Sequence, residues 1–184
     1  MNSILDLDAR LSSQMRVAEK PGALRAIAVF FAHSGDSWFW AIGLFAIWIS
    51  GDSFWKQWAI LQFASICLLV VMVLVIKFSI RRKRPEGEWG QIYRFTDPHS
   101  FPSGHSARAF LIATIASGLG PGWLAIAIWI WAPLVALARV AMGVHYLSDV
   151  LAGALLGILI ALIGLQIYLP LFNWAFKLFG FSLW

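Results

Sequence analysis

Long apolar segments constrain the fold of this chain more than any other feature of its sequence. Residues 54–80 include the run ICLLVVMVLVI and exceed the roughly 20 residues that an α-helix needs to cross a bilayer. Of the 184 residues, 60% are hydrophobic and 12% are charged, and the mean hydropathy of +0.77 lies outside the range of soluble domains. We therefore expect an all-α, polytopic membrane protein.

Five apolar segments predict five transmembrane helices. A further apolar segment, residues 24–32, is too short to span, so it is predicted to lie at the interface or to insert partway. If it did cross, the bundle would have six spans. The five predicted spans are residues 38–50, 54–80, 103–119, 123–142 and 147–169.

The first twenty residues predict an amphipathic helix, because apolar residues recur at helical spacing among charged ones. Such a helix lies on the membrane surface or, alternatively, packs on the rest of the protein. The stretch lacks the apolar core of a signal peptide. The predicted single domain therefore has an interfacial segment 1–35, a transmembrane core 36–170 and a tail 171–184.

Charge and cysteine content exclude some classes of function. The net charge of +5 comes mostly from basic residues beside apolar runs, which favours contact with acidic lipid headgroups and not with nucleic acid. The single cysteine, Cys67, rules out an intrachain disulfide and a cysteine metal cluster. Acidic residues are scattered along the loops, so no aspartate cluster suited to magnesium is predicted.

Chemistry-bearing residues are expected to meet at one face of the bundle. Up-and-down threading of five spans brings together the ends of spans two and four and the starts of spans three and five. The residues gathered there are Lys77, Arg84, Ser103, His105, Arg108, Arg139, His145 and Asp149.

The stretch PSGH, residues 102–105, predicts a helix start that can bind an anion. With Ser103 as the N-cap, Gly104 and His105 occupy the first two helical positions, where free amides and the helix dipole attract phosphate. The alternative is that Ser103 only caps the helix and His105 is an interfacial residue.

The segment RVAMGVHYLSDV places His145 and Asp149 four residues apart, on one helix face. A carboxylate at that spacing can accept one imidazole N–H and fix the tautomer. Alternatively, Asp149 only caps a helix. Arg139 ends an apolar span, where an ionisable residue indicates function. Lys77 and Arg84 end another span, where snorkelling to the headgroups is the alternative.

Three motifs together resemble the type 2 phosphatidic acid phosphatase (PAP2) superfamily. Residues 77–85 fit K-x6-R-P, residues 102–105 are PSGH, and residues 139–149 fit R-x5-H-x3-D, in the order that this family has. The resemblance covers about residues 77–150. The third motif usually begins with Ser-Arg, whereas Ala138 precedes the arginine here.

The resemblance implies a phosphatase that needs no metal or other cofactor and forms a phosphohistidine. It implies that His145 is the nucleophile, that Asp149 holds the second ring nitrogen, and that His105 is the general acid and base. The residues implied to hold the phosphate oxygens are Lys77, Arg84, Arg139, Ser103 and Gly104.

A site at the bilayer edge favours a lipid phosphate as substrate. Polyprenyl pyrophosphate is favoured slightly over phosphatidate, phosphatidylglycerophosphate and lipid A phosphates, because further cations could meet a second phosphate. Those cations are Arg81, Arg82, Lys83, Arg94 and Arg108. Arg108 is otherwise a snorkelling anchor. Lipid phosphotransfer and non-catalytic binding or transport of a lipid phosphate are the competing functions.

The side of the membrane that carries the site is open to two interpretations. Five spans place twelve of the fourteen Lys and Arg residues on the site's face, leaving Lys56 and Lys177 opposite, which argues for a cytoplasmic site. With six spans, and without counting the three motif cations, five Lys and Arg residues lie on the site's face and six lie on the opposite face. The resemblance implies an extracytoplasmic site in the cell membrane, and we favour that placement.

Overall fold

In the computed structural model, every regular element within the described residues, 2–17, 19–87 and 97–179, is an α-helix. This confirms the all-α class. The helices are α1 (Asn2–Gln14), α2 (Ala23–Ser34), α3 (Ser37–Ser50), α4 (Ser53–Ile80), α5 (Gly104–Leu119), α6 (Gly122–Ala141) and α7 (Leu147–Phe179).

Three of these helices, α4, α6 and residues 147–168 of α7, are long and apolar enough to cross a membrane. The apolar helices α2 and α3 have 12 and 14 residues, fewer than the roughly 20 that a span needs. The number of crossings, five or six, therefore stays a prediction. The predicted last span, 147–169, agrees with the segment 147–168 to within one residue, and α7 itself continues through Pro170 to Phe179.

The outer surface of the bundle is apolar. Large side chains such as Phe45 on α3, Val71 on α4, Ile130 on α6 and Leu155 on α7 are more than half exposed. Apolar surface of this extent is unfavourable in water and favourable against lipid tails. The chain is therefore embedded in a membrane.

Helix α5 is the centre of the bundle and packs on α4, α6 and α7. Its side chains Leu111, Ile112 and Ile115 are fully buried. On α7, a Cβ at Gly153 or Gly157 would collide with the backbone of α5. These two glycines, four residues apart, allow the two helices to approach closely. The close approach brings the start of α5 beside the start of α7.

Candidate active site

A cavity of about 210 Å³ opens between α4, the start of α5 and the connection before α7. One wall is apolar and comes from α4, with Leu69, Val70, Val73 and Leu74. The opposite wall is polar or charged. It contains Ser37, Lys77, Asp97, Gly104, His105, Arg108 and His145.

His145 lies between α6 and α7 with 1% of its surface exposed. Its Nε2 is 3.2 Å from Arg84 Nη1, and its Nδ1 is 3.5 Å from Asp149 Oδ2. Arginine can only donate, so Nε2 is the acceptor and the proton lies on Nδ1, which faces the carboxylate. Burial, followed by the positive charges of Arg84, Arg139 and Lys77, holds the pKa of His145 well below its usual value. The ring is therefore neutral at pH 7.

Asp149 stands in the first turn of α7 and is fully buried. One oxygen faces His145 and accepts the backbone N–H of Tyr146 (2.8 Å). The other accepts from Arg82 Nη1 (2.7 Å). The two alternatives drawn from the sequence are thus both present, since Asp149 satisfies a helix-start amide and also faces the imidazole.

The PSGH stretch starts α5 as predicted, with Ser103 at the N-cap. The buried Ser103 hydroxyl accepts from the Ser106 amide (3.4 Å), and the Ser103 amide donates to the Asp149 carbonyl (2.9 Å). Gly104 and His105 line the cavity, whereas Ser103 lies behind its wall. The amide of Gly104 is thus better placed than the Ser103 hydroxyl to reach a ligand there.

The ring of His105 contacts a carboxylate that sequence reasoning missed. His105 Nε2 is 2.7 Å from Asp36 Oδ1, and Asp36 Oδ2 is 3.2 Å from His33 Nδ1. Burial opposes the charge of Asp36, but the hydrogen bonds of the two histidines outweigh it and lower the pKa of Asp36 to about 2. Asp36 stands at the N-cap position of α3, but its side chain makes no capping hydrogen bond there and contacts the two histidines instead. A polar cluster, HSGDS, between two apolar segments was the available signal.

Lys77 and Arg84 are each 3% exposed, so neither snorkels to the surface. Both donate to the carboxylate of Asp97, which Arg84 Nη2 approaches to 2.8 Å. Asp97 belongs to the connection between α4 and α5, which places its carboxylate against these two cations. Asp97 is one of the scattered acidic loop residues, and its carboxylate pairs with both cations that an anionic ligand would need.

Arg139 and Arg108 complete the positive charge around the cavity. Arg139 is buried and donates to the Ala32 carbonyl (3.4 Å). Arg108 is also buried, donates to the Gly35 carbonyl and lines the cavity, so its alternative role as a snorkelling anchor is wrong. Ala138 packs in an apolar cluster that includes residues of α2, so its side chain contributes to the packing of α6 against α2.

The other cations expected near a second phosphate lie elsewhere. Arg82 binds Asp8 (2.7 Å) and Asp149, while Arg81 and Lys83 are exposed. Arg94 lies outside the described residues. Of this group, Arg108 alone lines the cavity within the described part of the chain. Arg81, Arg82 and Lys83 do not line the cavity, so a contact of these three cations with a second phosphate stays a prediction.

The charge balance of the site suits an anion. Lys77 and Arg108 line the cavity, and the charges of Arg84 and Arg139 act on His145, which also lines it. A phosphate bound near such buried cations is strongly favoured. Among the residues that the structure describes, no three His, Cys, Asp or Glu side chains lie close enough together to hold a metal ion.

Comparison with known proteins agrees with this chemistry. The family model described as PAP2 superfamily matches residues 58–172. Among curated proteins, the chain is 33% identical to a lipid A 1-phosphatase of Porphyromonas gingivalis, over 60% of this chain and 24% of that protein. It is 31% identical to a probable lipid phosphate phosphatase beta of Arabidopsis thaliana, over 53% of this chain and 59% of that protein. It is 36% identical to an undecaprenyl-diphosphatase of Sulfolobus acidocaldarius, over 56% of this chain and 52% of that protein. The chain thus matches between a quarter and three fifths of the length of these relatives.

Two solved structures share the fold. A transmembrane PAP2-type phosphatidylglycerolphosphate phosphatase from Bacillus subtilis superimposes with a TM-score of 0.74 at 25% identity, over 89% of this chain and 85% of that one. Aquifex aeolicus LpxE superimposes with a TM-score of 0.70 at 28% identity, over 87% of this chain and 95% of that one. The helical arrangement is therefore one found in a transmembrane PAP2-type phosphatase.

Proposed function

The chain belongs to the PAP2 superfamily, and from this premise we propose that it is a membrane lipid phosphate phosphatase that works through a phosphohistidine. The observation that supports this proposal most is His145, a buried neutral imidazole that lines the same small cavity as Lys77 and Gly104. Its proton lies on Nδ1, facing Asp149, and the lone pair of Nε2 accepts from Arg84 Nη1 in this structure. That lone pair would become available for attack on phosphorus once Arg84 donates to the phosphate oxygens instead.

In the first step, His145 Nε2 forms a bond to phosphorus as the bond to the leaving oxygen breaks. Asp149 stabilises the positive charge that the imidazole gains. His105 donates a proton to the leaving oxygen, which departs as a lipid alcohol or, from a pyrophosphate, as a lipid monophosphate. Asp36 holds His105 Nε2, so we assign the transfer of the proton to Nδ1.

In the second step, His105 takes a proton from water and the oxygen of that water attacks phosphorus. The bond between phosphorus and His145 breaks, inorganic phosphate leaves, and both histidines return to their starting protonation. Lys77, Arg84 and Arg139 would neutralise the phosphoryl oxygens in both steps, since phosphoryl transfer depends chiefly on positioning and charge. Phosphate binding would displace the Asp97 carboxylate from the first two of these cations.

For the substrate, we propose a polyprenyl pyrophosphate or a diacylglycerol phosphate. The apolar wall from α4 continues into the lipid-facing surface of that helix, where Val71 and Val75 are exposed, and suits an acyl or prenyl tail. Arg108 lines the cavity beyond His105 and could meet a second phosphate. The relatives named above act on phosphates of several lipid types, which supports the class of substrate.

The test is release of inorganic phosphate by the purified protein from undecaprenyl pyrophosphate, phosphatidylglycerophosphate, phosphatidate and lipid A. We expect release from at least one, without an added acceptor, and complete loss in His145→Ala. His99→Ala serves as the matched control because the His99 ring packs on Phe78 while only its carbonyl binds Lys77. Activity in His145→Ala, or release only when a lipid acceptor is added, would contradict the proposal.

We further propose that the cavity faces away from the cytoplasm in the cell membrane. Asp52 and Glu86 lie beyond opposite ends of α4 and are exposed, so single cysteines at these positions report on opposite faces. The native Cys67 is exposed and must first be replaced by serine. Labelling of Glu86→Cys in intact cells by an impermeant maleimide is the expected result. Labelling at that position only after permeabilisation would place the site in the cytoplasm.

A further inference from the structure

Helix α1 packs against the start of α7, the helix that carries Asp149. The Leu147 amide donates to Ser12 Oγ (2.9 Å) and the Ser148 amide to Asp8 Oδ1 (3.0 Å). The first amides of a helix have no acceptor within it, so two side chains of α1 cap α7 from outside. Both side chains precede the residues 58–172 that the family model matches.

The second oxygen of Asp8 binds Arg82. Arg82 Nη2 lies 2.7 Å from Asp8 Oδ2, and Arg82 Nη1 lies 2.7 Å from Asp149 Oδ1. Nη1 also donates to the Ser148 hydroxyl (2.6 Å), and the guanidinium lies 4.0 Å from the centre of the Tyr146 ring. The cation is thus fixed between a carboxylate of α1 and the carboxylate beside His145.

The contact of Arg82 with Asp149 places a cation beside a buried carboxylate. Asp149 is fully buried, and an ionised carboxylate in such a place is costly unless a cation pairs with it. Arg82 supplies that charge, but it is 19% exposed at its side chain and would otherwise have water as an alternative partner. Asp8, 10% exposed, occupies the other end of the guanidinium and so restricts it to one orientation.

We propose that Asp8 is a positioning residue of the active site, acting through Arg82 to keep Asp149 ionised and directed at Nδ1 of His145. The inference rests on the proposed function, because it takes His145 as the nucleophile. Neither Asp8 nor Arg82 lines the cavity. Their removal should therefore slow the chemical step without weakening substrate binding.

Asp8→Asn tests the charge of this carboxylate, because asparagine keeps the size and the acceptor for the Ser148 amide but presents no anion to Arg82. The matched control is Asp6→Asn, the same change at an exposed position of the same helix. With a lipid phosphate that the wild type hydrolyses, we expect kcat of Asp8→Asn to fall about tenfold, as for the loss of one charged hydrogen bond, with KM within about twofold. Asp6→Asn should keep the wild-type kcat, and Asp8→Glu should recover most of the loss.

A double-mutant cycle tests the route through Arg82. In an Arg82→Gln background, Asp8→Asn should cause no further loss, because the residue through which it acts is gone. Losses that multiply would overturn the proposal, as would equal kcat in Asp8→Asn and Asp6→Asn. If Asp8→Asn does not fold, Arg82→Gln alone decides, and wild-type kcat in that variant overturns the proposal. A wild-type protein that releases no phosphate from any lipid contradicts the proposed function itself, which is a distinct outcome.

Discussion

His145 and His105 face one cavity, but their carboxylate partners come from different distances along the chain. Asp149 follows His145 by four residues, whereas Asp36 precedes His105 by 69 residues and lies in the turn between α2 and α3. The two rings also differ in exposure, with 1% of the His145 side chain and 19% of the His105 side chain accessible. The same pair of residue types therefore occurs in two environments.

The difference fits the two roles that we propose. A nucleophile gains from a dry, fixed ring, because burial keeps it neutral and its tautomer constant. A general acid and base must exchange a proton with water in each turnover, so some exposure is required. Both histidines have a carboxylate partner, and they differ in how far solvent reaches the ring.

The roles of the two histidines are distinguished most clearly with 4-nitrophenyl phosphate as the substrate, because its leaving group departs without a proton. His105→Ala should give a rapid burst of about one equivalent of nitrophenolate per protein, followed by very slow turnover, because the phosphohistidine forms but no base activates water. His145→Ala should give no burst. Stopped-flow absorbance measures both, and a burst in His145→Ala would remove that residue from its role.

Asp36→Asn should impair the proton transfers that His105 performs in the two steps. Loss of the anion beside His105 is expected to lower kcat for the lipid substrate by about 10- to 100-fold, as for the loss of a charged hydrogen bond. The nitrophenolate burst should persist. Asp52→Asn is the matched control, because Asp52 caps α4 at its far end through the Trp55 amide and asparagine caps equally well. Equal kcat in the two variants would deny Asp36 its role.

The pH dependence tests the environment of His145. Its pKa is held below 6.5 by burial and by Arg84, Arg139 and Lys77, so the neutral ring persists as pH falls through 6.5 and is lost only at lower pH. The acid limb of kcat/KM should therefore lie below pH 6.5. Arg84→Gln removes one cation and should move this limb upward by up to about one pH unit, in addition to weakening phosphate binding. Lys83→Gln, at an exposed neighbouring position, should leave the limb in place. A downward shift in Arg84→Gln would contradict this account.

The same depressed pKa predicts a stability effect of the same sign. An unfolded histidine binds a proton near pH 6.5, while buried His145 resists it, so its neutral form contributes to stability above pH 6.5 and this contribution is lost as pH falls. Thermal unfolding in detergent should show a smaller decrease of Tm on acidification in His145→Gln than in the wild type. Parallel curves for the two proteins would contradict the burial of a neutral ring.

The smallest expected effect concerns Asp97, which pairs with Lys77 and Arg84. Its carboxylate is 39% exposed, so solvent screens the interaction and the competition with phosphate is modest. Asp97→Asn should lower KM, and the inhibition constant of inorganic phosphate, by about two- to fivefold. Glu86→Gln, in the same connection and exposed, is the control. An increase of KM in Asp97→Asn would show that Asp97 orders the two cations and does not compete.

Much of the fold was predictable because it depends on local sequence. Periodic apolar runs predict helix positions, and the predicted segment 54–80 differs from α4 by one residue at its start. Helix α7 continues beyond the predicted span through Pro170, because a proline within a membrane helix is tolerated when neighbouring groups satisfy the freed carbonyl.

The candidate site was predictable in part for the same reason. His145 and Asp149 were predicted to share one helix face. His145 instead lies in the connection before α7, but the short separation still lets the carboxylate face the ring. The position of Ser103 before an apolar run predicts a cap. Both follow from residues that are close in sequence. Up-and-down threading then sufficed to bring Lys77 to the same end of the bundle.

The sequence thus predicted the class of the molecule, most helix positions and the residues of the candidate site, since each prediction depends on composition, periodicity or short spacing. Tertiary structure decided that Asp36 supports His105 and that Asp97 faces Lys77. It also decided that Arg82 joins Asp8 to Asp149 instead of meeting substrate. These contacts join residues 20 to 74 positions apart. They arise from how closely the helices pack, which in turn depends on side-chain volumes across the interface that no local pattern encodes.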